Sequence, residues 1–260
     1  MNKPNERKIA AMTEGGAKMG VILQELLAFS QPGVTLQQVE DLAMKRILEA
    51  GGKASFTTVE DYKWATCLCV NDVIVHGIPN SRVLTEGDVF TIDVGMIYKG
   101  FHTDTAWSKI ICKKGFVADP KTERFLAVGK EALRDAIAQA RVGNRIGHIS
   151  QTIQRIVEGA GYGIVKSLVG HGVGEELHMP PQIPGYLKGK VTSTLPLAAG
   201  MTIAIEIIYT MGKPAVYYAN DDGWSIATRD HSLSAVFEQT VLVTDGDPVA
   251  ITPAPEKYSP

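Results

Sequence analysis

Val89-Phe90-Thr91-Ile92-Asp93-Val94 and Phe101-His102-Thr103-Asp104-Thr105 flank the break at Lys99-Gly100, and their reading decides the fold. Both runs are rich in β-branched and aromatic residues, as strands are, yet each carries an acid inside its apolar pattern. A buried, unpaired carboxylate costs several kcal/mol, so it must find a partner, take up a proton or bind a cation. With Lys99-Gly100 as a two-residue turn, Tyr98 pairs with Phe101 and Gly95 with Asp104. Asp93 and Asp104 then become diagonal neighbours on one face, with backbones about 7–8 Å apart. A turn one residue longer or shorter would put them on opposite faces.

Two further acids break apolar strand patterns downstream. Glu206 interrupts Ile203-Ala204-Ile205-Glu206-Ile207-Ile208, and Glu238 lies in Ala235-Val236-Phe237-Glu238-Gln239-Thr240. A single acid in a strand is usually an edge or solvent-face residue, but four of them, two on adjoining strands, point to a shared site. Of six histidines, His76, His171 and His178 sit among turn-forming residues. Glycines around His171 are expected to let the backbone reach positive φ and bring the ring close to another element. Nothing in their spacing singles out His102, His148 or His231. Four carboxylates with a neutral imidazole balance two divalent cations, and this mixed ligation suits Mn, Fe, Co or Zn better than Mg or Ca. Two such ions about 3.5–4 Å apart activate a bridging water and polarise a carbonyl, which is hydrolytic machinery.

Around this core the chain is ordinary. It has 260 residues, 26 basic against 28 acidic side chains and a net charge of -2, with 45% hydrophobic and 21% charged residues, a composition that argues against disorder. Balanced charge gives no footprint for nucleic acid or an anionic membrane. Three cysteines (Cys67, Cys69 and Cys112) suit a reducing compartment better than a disulfide scaffold. The N-terminus lacks a signal-peptide pattern, and no apolar run approaches a membrane span of about 20 residues, so a cytoplasmic protein is expected.

Helical spacing covers residues 5–30, and Gln31-Pro32-Gly33 stops it. Thr35 and Gln38 form a capping box for a second helix ending at Gly51-Gly52. Strand-like runs fill 64–112, helices follow near 119–141 and 146–160, and a second strand-rich stretch covers 202–244. Without low-complexity tracts or linkers, 1–260 reads as one α+β domain of two similar halves.

The chain resembles type I methionine aminopeptidases from about residue 5 to 252. The resemblance rests on Asn71-Asp72-Val73-Ile74-Val75-His76-Gly77-Ile78-Pro79, Gly87-Asp88-Val89-Phe90-Thr91-Ile92-Asp93-Val94, Gly100-Phe101-His102-Thr103-Asp104-Thr105, Gly170-His171-Gly172-Val173-Gly174, Asp222-Gly223-Trp224-Ser225 and the run from Ser232 to Glu238. It implies the pita-bread fold, an antiparallel sheet with internal pseudo-twofold symmetry backed by two helix pairs. It also implies removal of the initiator methionine from nascent proteins and peptides with a small second residue, by attack of a metal-bound water. The family's metal ligands fall on Asp93, Asp104, His171, Glu206 and Glu238, with Asp104 and Glu238 bridging two ions. Asp93 would chelate one ion, and His171 and Glu206 the other. Glu206 would be the acid–base residue, His178 would bond the scissile carbonyl, and His76 would contact the peptide nitrogen. Tyr62, Cys67 and Trp224 would line the methionine pocket, and a monovalent cation would sit near Asn71, Val73 and Ser234. A monomer in transient contact with the ribosome is the corresponding expectation for partners. The Xaa-Pro peptidases share this fold and ligand set but generally carry a preceding domain.

Departures from the family pattern are Leu177 and Met179 around the second histidine, Ile207 after Glu206, and Ala199-Gly200 ahead of the strand that carries Glu206. None is a metal ligand. Leu177 falls in the expected methionine pocket, which bears on side-chain preference.

Overall fold

The computed structural model describes residues 6–255. In chain order the elements are α1 (Glu6–Phe29), α2 (Leu36–Glu49), β1 (Lys53–Ala54), β2 (Thr66–Val70), β3 (Val73–Val75), β4 (Val89–Tyr98) and β5 (Phe101–Ile110). Then come α3 (Pro120–Ile137), α4 (Ile146–Gly159), β6 (Gly163–Ile164), β7 (Val169–Gly172), β8 (Met179–Pro184) and β9 (Thr202–Thr210). The last are β10 (Val216–Tyr218), β11 (Ile226–Thr228), β12 (Ser234–Leu242) and β13 (Val249–Ala250).

Local chemistry sets the boundaries. Thr35 accepts from the Gln38 N–H while Gln38 Oε1 accepts from the Thr35 N–H at 2.8 Å, so the expected capping box starts α2. Asp119 caps α3, and Pro120 at its first turn has no N–H to leave unpaired. Lys99 (φ 50°) and Gly100 (φ 88°) both lie in the left-handed region that a two-residue hairpin turn demands. Tyr98 accordingly pairs with Phe101 and Gly95 with Asp104.

The main sheet runs β1-β4-β5-β12-β9-β7-β8, with β2 added on β4, β6 on β9 and β13 on β12. At its centre β5 meets β12, and the two sides mirror one another. Helix α1 packs on β4 and β5 and carries α2; helix α3 packs on β9 and β12 and carries α4. This is the pita-bread arrangement that the sequence implied. A sheet with helices on one face must alternate along each strand, and this one does. Ile92, Trp107, Ile205, Ile207 and Phe237 enter the helix-side core, while Asp93, Ala106, Glu206 and Glu238, one residue away in each case, take the other face. That face is concave and is roofed by a small sheet, β10-β11-β3. Strands β6, β7 and β8 lie outside the stretches whose pattern announced strands. They are short and glycine- or proline-rich, so they show little apolar alternation.

Glu40 on α2 is a buried acid that sequence periodicity did not flag. Its carboxylate accepts from the N–H groups of Ala65 (2.7 Å) and Thr66 (3.1 Å) and from the Thr66 hydroxyl (2.6 Å), pinning the start of β2. Burial raises its pKa against the pull of these donors. Glu40→Ala strands three buried donors and is expected to lower unfolding free energy by about 3 kcal/mol or more in a urea titration, with Glu40→Gln costing less.

Candidate metal centre

Register brings the acids together. Asp93 pairs with Ala106 on β5, which is two residues from Asp104, so the two aspartates are diagonal neighbours on the concave face. Ala106 also pairs with Glu238 on β12, and Glu238 stands directly opposite Glu206 on β9. His171 on β7 pairs with Ala204, two residues before Glu206. Five side chains from five adjoining strands thus converge. Like charges directly opposite one another oppose folding, so an uncompensated Glu206–Glu238 pair is unfavourable.

The electrostatics show what compensates. Burial pushes the Asp93 and Glu238 carboxyls well above their usual range, and repulsion from neighbouring carboxylates adds to it. Glu206 is raised to about 8 by burial and by Asp104. Asp104 is raised to about 7 by burial, held there against the Thr105 N–H and a hydrogen bond with Asp93. Burial lowers His171 to about 4, so its ring is neutral at pH 7. With Nδ1 2.9 Å from the Gly172 carbonyl oxygen, the proton sits on Nδ1 and Nε2 presents a bare lone pair. That nitrogen lies 3.9 Å from Asp104 Oδ2, too far for a hydrogen bond, with two acceptors facing each other.

These residues fit a divalent cation. Donor atoms of Asp104, His171 and Glu238 all lie within 4.8 Å of one another, and Asp93 Oδ1 and Glu238 Oε1 are buried without a hydrogen-bond partner. Orphaned acceptors of this kind are costly to fold around unless a cation or a proton takes them up.

The ten residues assigned metal-binding, catalytic or substrate-binding roles line one cavity of about 340 Å³: Asp93, Asp104, His171, Glu206, Glu238, His76, His178, Tyr62, Cys67 and Trp224. His76 follows β3 with φ 57°, a left-handed conformation that costs a non-glycine residue roughly 1–2 kcal/mol. Its side chain lines the cavity. His178 is edge-on to His171 with 4.5 Å between centroids. Burial lowers the pKa of both His76 and His178, leaving neutral rings that can donate one hydrogen bond. Tyr62, Cys67, Leu177 and Phe56 form a separate apolar cluster, against which Trp224 packs.

Several readings are corrected or refined. Gly170, Gly172 and Gly174 do not adopt positive φ. Gly170 and Gly172 are needed for close approach, because a Cβ there would collide with the carbonyl oxygens of Ala204 and Pro180 respectively. Asn71, Val73 and Ser234 come together outside the cavity lining, where the Ser234 hydroxyl donates to the carbonyls of Asn71 (2.8 Å) and Val73 (3.2 Å). The histidines left aside have structural partners: His102 with Ser55 Oγ at 2.6 Å, His148 accepting the Arg145 N–H, and His231 with Asp72 at 2.9 Å. Among the departures, Leu177 lines the cavity, whereas Ile207 enters the helix-side core and Met179 faces a different surface pocket. Phe56, Val59, Val75, Ser167, Leu168, Val169, Ile208 and Val236 complete the lining and were missed. Ile208 and Val236 stand two residues from Glu206 and Glu238, so strand alternation alone could have found them.

A neutral-ring and carboxylate cluster at the bottom of a half-apolar cavity, on a twofold sheet, defines a metal-dependent hydrolase. The chain belongs to metallopeptidase family M24, which matches residues 10–245. It is 34% identical over 239 residues to methionine aminopeptidase 1 of Bacillus subtilis (strain 168), covering 92% of this chain and 94% of that one. The crystal structure of methionine aminopeptidase from Thermotoga maritima superposes with a TM-score of 0.90 at 36% identity, covering 95% of this chain and 97% of that one. Prolidase from Pyrococcus furiosus shares the fold, with a TM-score of 0.77 at 19% identity, over 96% of this chain and 65% of its own.

The site makes metal-free stability pH-dependent. A carboxyl raised from about 4 unfolded to about 7 folded contributes stability below pH 4 that is lost as pH rises through 7. Metal-free protein is therefore expected to lose on the order of 2 kcal/mol between pH 5 and 8 relative to Asp104→Asn, read from paired urea titrations. Added Mn should reverse the trend in the native sequence only.

Proposed function

We propose that the chain is a metal-dependent methionine aminopeptidase that removes the N-terminal methionine from nascent polypeptides and peptides with a small second residue. The observation that supports it most is the convergence of Asp93, Asp104, His171, Glu206 and Glu238 with His76, His178 and an apolar compartment in one cavity. Asp93, Asp104, His171, Glu206 and Glu238 would hold two divalent transition-metal ions (Co, Mn, Fe or Zn). When bound, such ions lower the pKa of water and polarise a carbonyl.

The protein's own groups do the rest. Glu206, which lines the cavity beside the other acids, accepts and returns the proton that hydrolysis moves. Neutral His178 donates to the scissile carbonyl oxygen as negative charge develops there, and His76 contacts the amide nitrogen on the leaving side. Tyr62, Cys67, Leu177 and Trp224 take the unbranched thioether side chain in an apolar setting. The apolar pocket that Leu177 helps to line permits methionine to be preferred without being exclusive, since such pockets separate neighbours by only about 1–3 kcal/mol per methylene.

We further propose that residues 1–260 form one catalytic domain, acting as a cytoplasmic monomer on emerging N-termini with transient ribosome contact. Near-neutral charge supports independence from nucleic acid. No helix among the described residues is long and apolar enough to cross a membrane.

Met-Ala-Ser should be hydrolysed in the presence of Mn or Co, with Ala-Pro peptides cleaved far more slowly; the reverse ranking would favour an Xaa-Pro peptidase. Asp104→Asn should abolish turnover, and equal activity in that variant would sink the mechanism. His178→Ala should lower kcat by roughly 10²-fold with KM little changed, as loss of a transition-state donor does.

A further inference from the structure

Trp224 reaches the cavity from the loop joining β10 to β11, on the small roofing sheet rather than on the large one. Its indole stands edge-on to Tyr62, 5.0 Å between centroids, and to His76 at 6.4 Å. A short loop needs something to hold a large ring in that pose, and Asp222 supplies it. Asp222 Oδ1 accepts from the N–H groups of Trp224 and Ser225, both at 2.8 Å. Its Oδ2 accepts from the Ser225 hydroxyl at 2.7 Å and from Asn220 Nδ2 at 3.2 Å. Gly223 takes φ 77°, which lets the chain turn between the acid and the indole. Next after Ser225, Ile226 pairs with Val75, the residue before His76. The carboxylate therefore closes a loop whose far end is tied to the strand that presents His76.

We propose that Asp222 is a positioning residue: it seats Trp224 as a wall of the compartment for the substrate's first side chain. Asp222 is absent from the cavity lining, so it acts through Trp224. The inference rests on the aminopeptidase reading for its substrate, and on the hydrogen bonds alone for its geometry. A preorganised wall strengthens binding by sparing the cost of ordering the loop when substrate arrives.

Asp222→Ala is expected to raise KM for Met-Ala-Ser about 10-fold while kcat changes less than about 2-fold, because binding of the side chain rather than the chemical step is loosened. Asp222→Asn, which keeps an acceptor for the two backbone N–H groups, should recover most of the loss, and Ser225→Ala should fall between. In a Trp224→Ala background, Asp222→Ala should add nothing, the non-additivity expected of residues that act as a unit. Binding of L-methionine, followed by tryptophan fluorescence, supplies the same series without turnover. Unchanged KM and methionine affinity across the series, or an equal penalty with Trp224 already removed, would overturn the inference. Wild-type protein that fails to cleave Met-Ala-Ser would instead overturn the aminopeptidase reading, and methionine binding would then decide the role of Asp222. If Asp222→Ala does not fold, Asp222→Asn and Ser225→Ala decide by their order.

Discussion

Repulsion among buried carboxylates is the constraint around which this protein is arranged. Glu206 faces Glu238 across a ladder, Asp104 lies on the next strand, and Asp93 on the one beyond. Burial raises the cost of ionising all four acids, and repulsion from neighbouring carboxylates adds to it for Asp93, Glu206 and Glu238. The cluster persists because the sheet holds it in register, and a divalent cation held by these residues would offset its cost. The same holding keeps His171 Nε2 pointed at Asp104 across a gap that a hydrogen bond does not close. Metal affinity is thus stored in the backbone register and not in any single side chain.

The rest of the fold serves that register. Two helix pairs cover one face of the sheet with a continuous apolar core, leaving the other face free to be polar. Glycine at 170 lets β7 approach β9, and glycine at 172 lets it approach β8, which brings His171 beside the acids. The small β10-β11-β3 sheet then places His76 and Trp224 over the cavity from above. Apolar residues such as Leu168, Ile208 and Val236 line the same cavity as the acids.

Much of this was legible in the residues. Lys99-Gly100 announced its turn type, and that turn alone placed Asp93 and Asp104 on one face. Thr35 and Gln38 announced a helix start. The acids stood out because strand interiors rarely contain them, and the resemblance supplied roles for the histidines. What was illegible had weak local signals: β6 to β8 lack alternation, Glu40 sits at an ordinary amphipathic position, and Phe56 and Val59 lie in a turn with no periodicity. The glycines around His171 were noticed for the wrong reason, since a glycine needed for close packing and one needed for positive φ look alike in one dimension.

Periodicity, turn chemistry and the placement of acids in apolar strands determined the class of fold and the existence of a cation-binding cluster, because these are local properties that survive without knowledge of distant neighbours. The assembly of that cluster was decided only in three dimensions. Glu238 joins Asp104 through a β5–β12 pairing across more than 130 residues, and Glu206 and His171 join through β9 and β7. Such pairings depend on which apolar faces can be buried together, a question about the whole chain that no single segment answers.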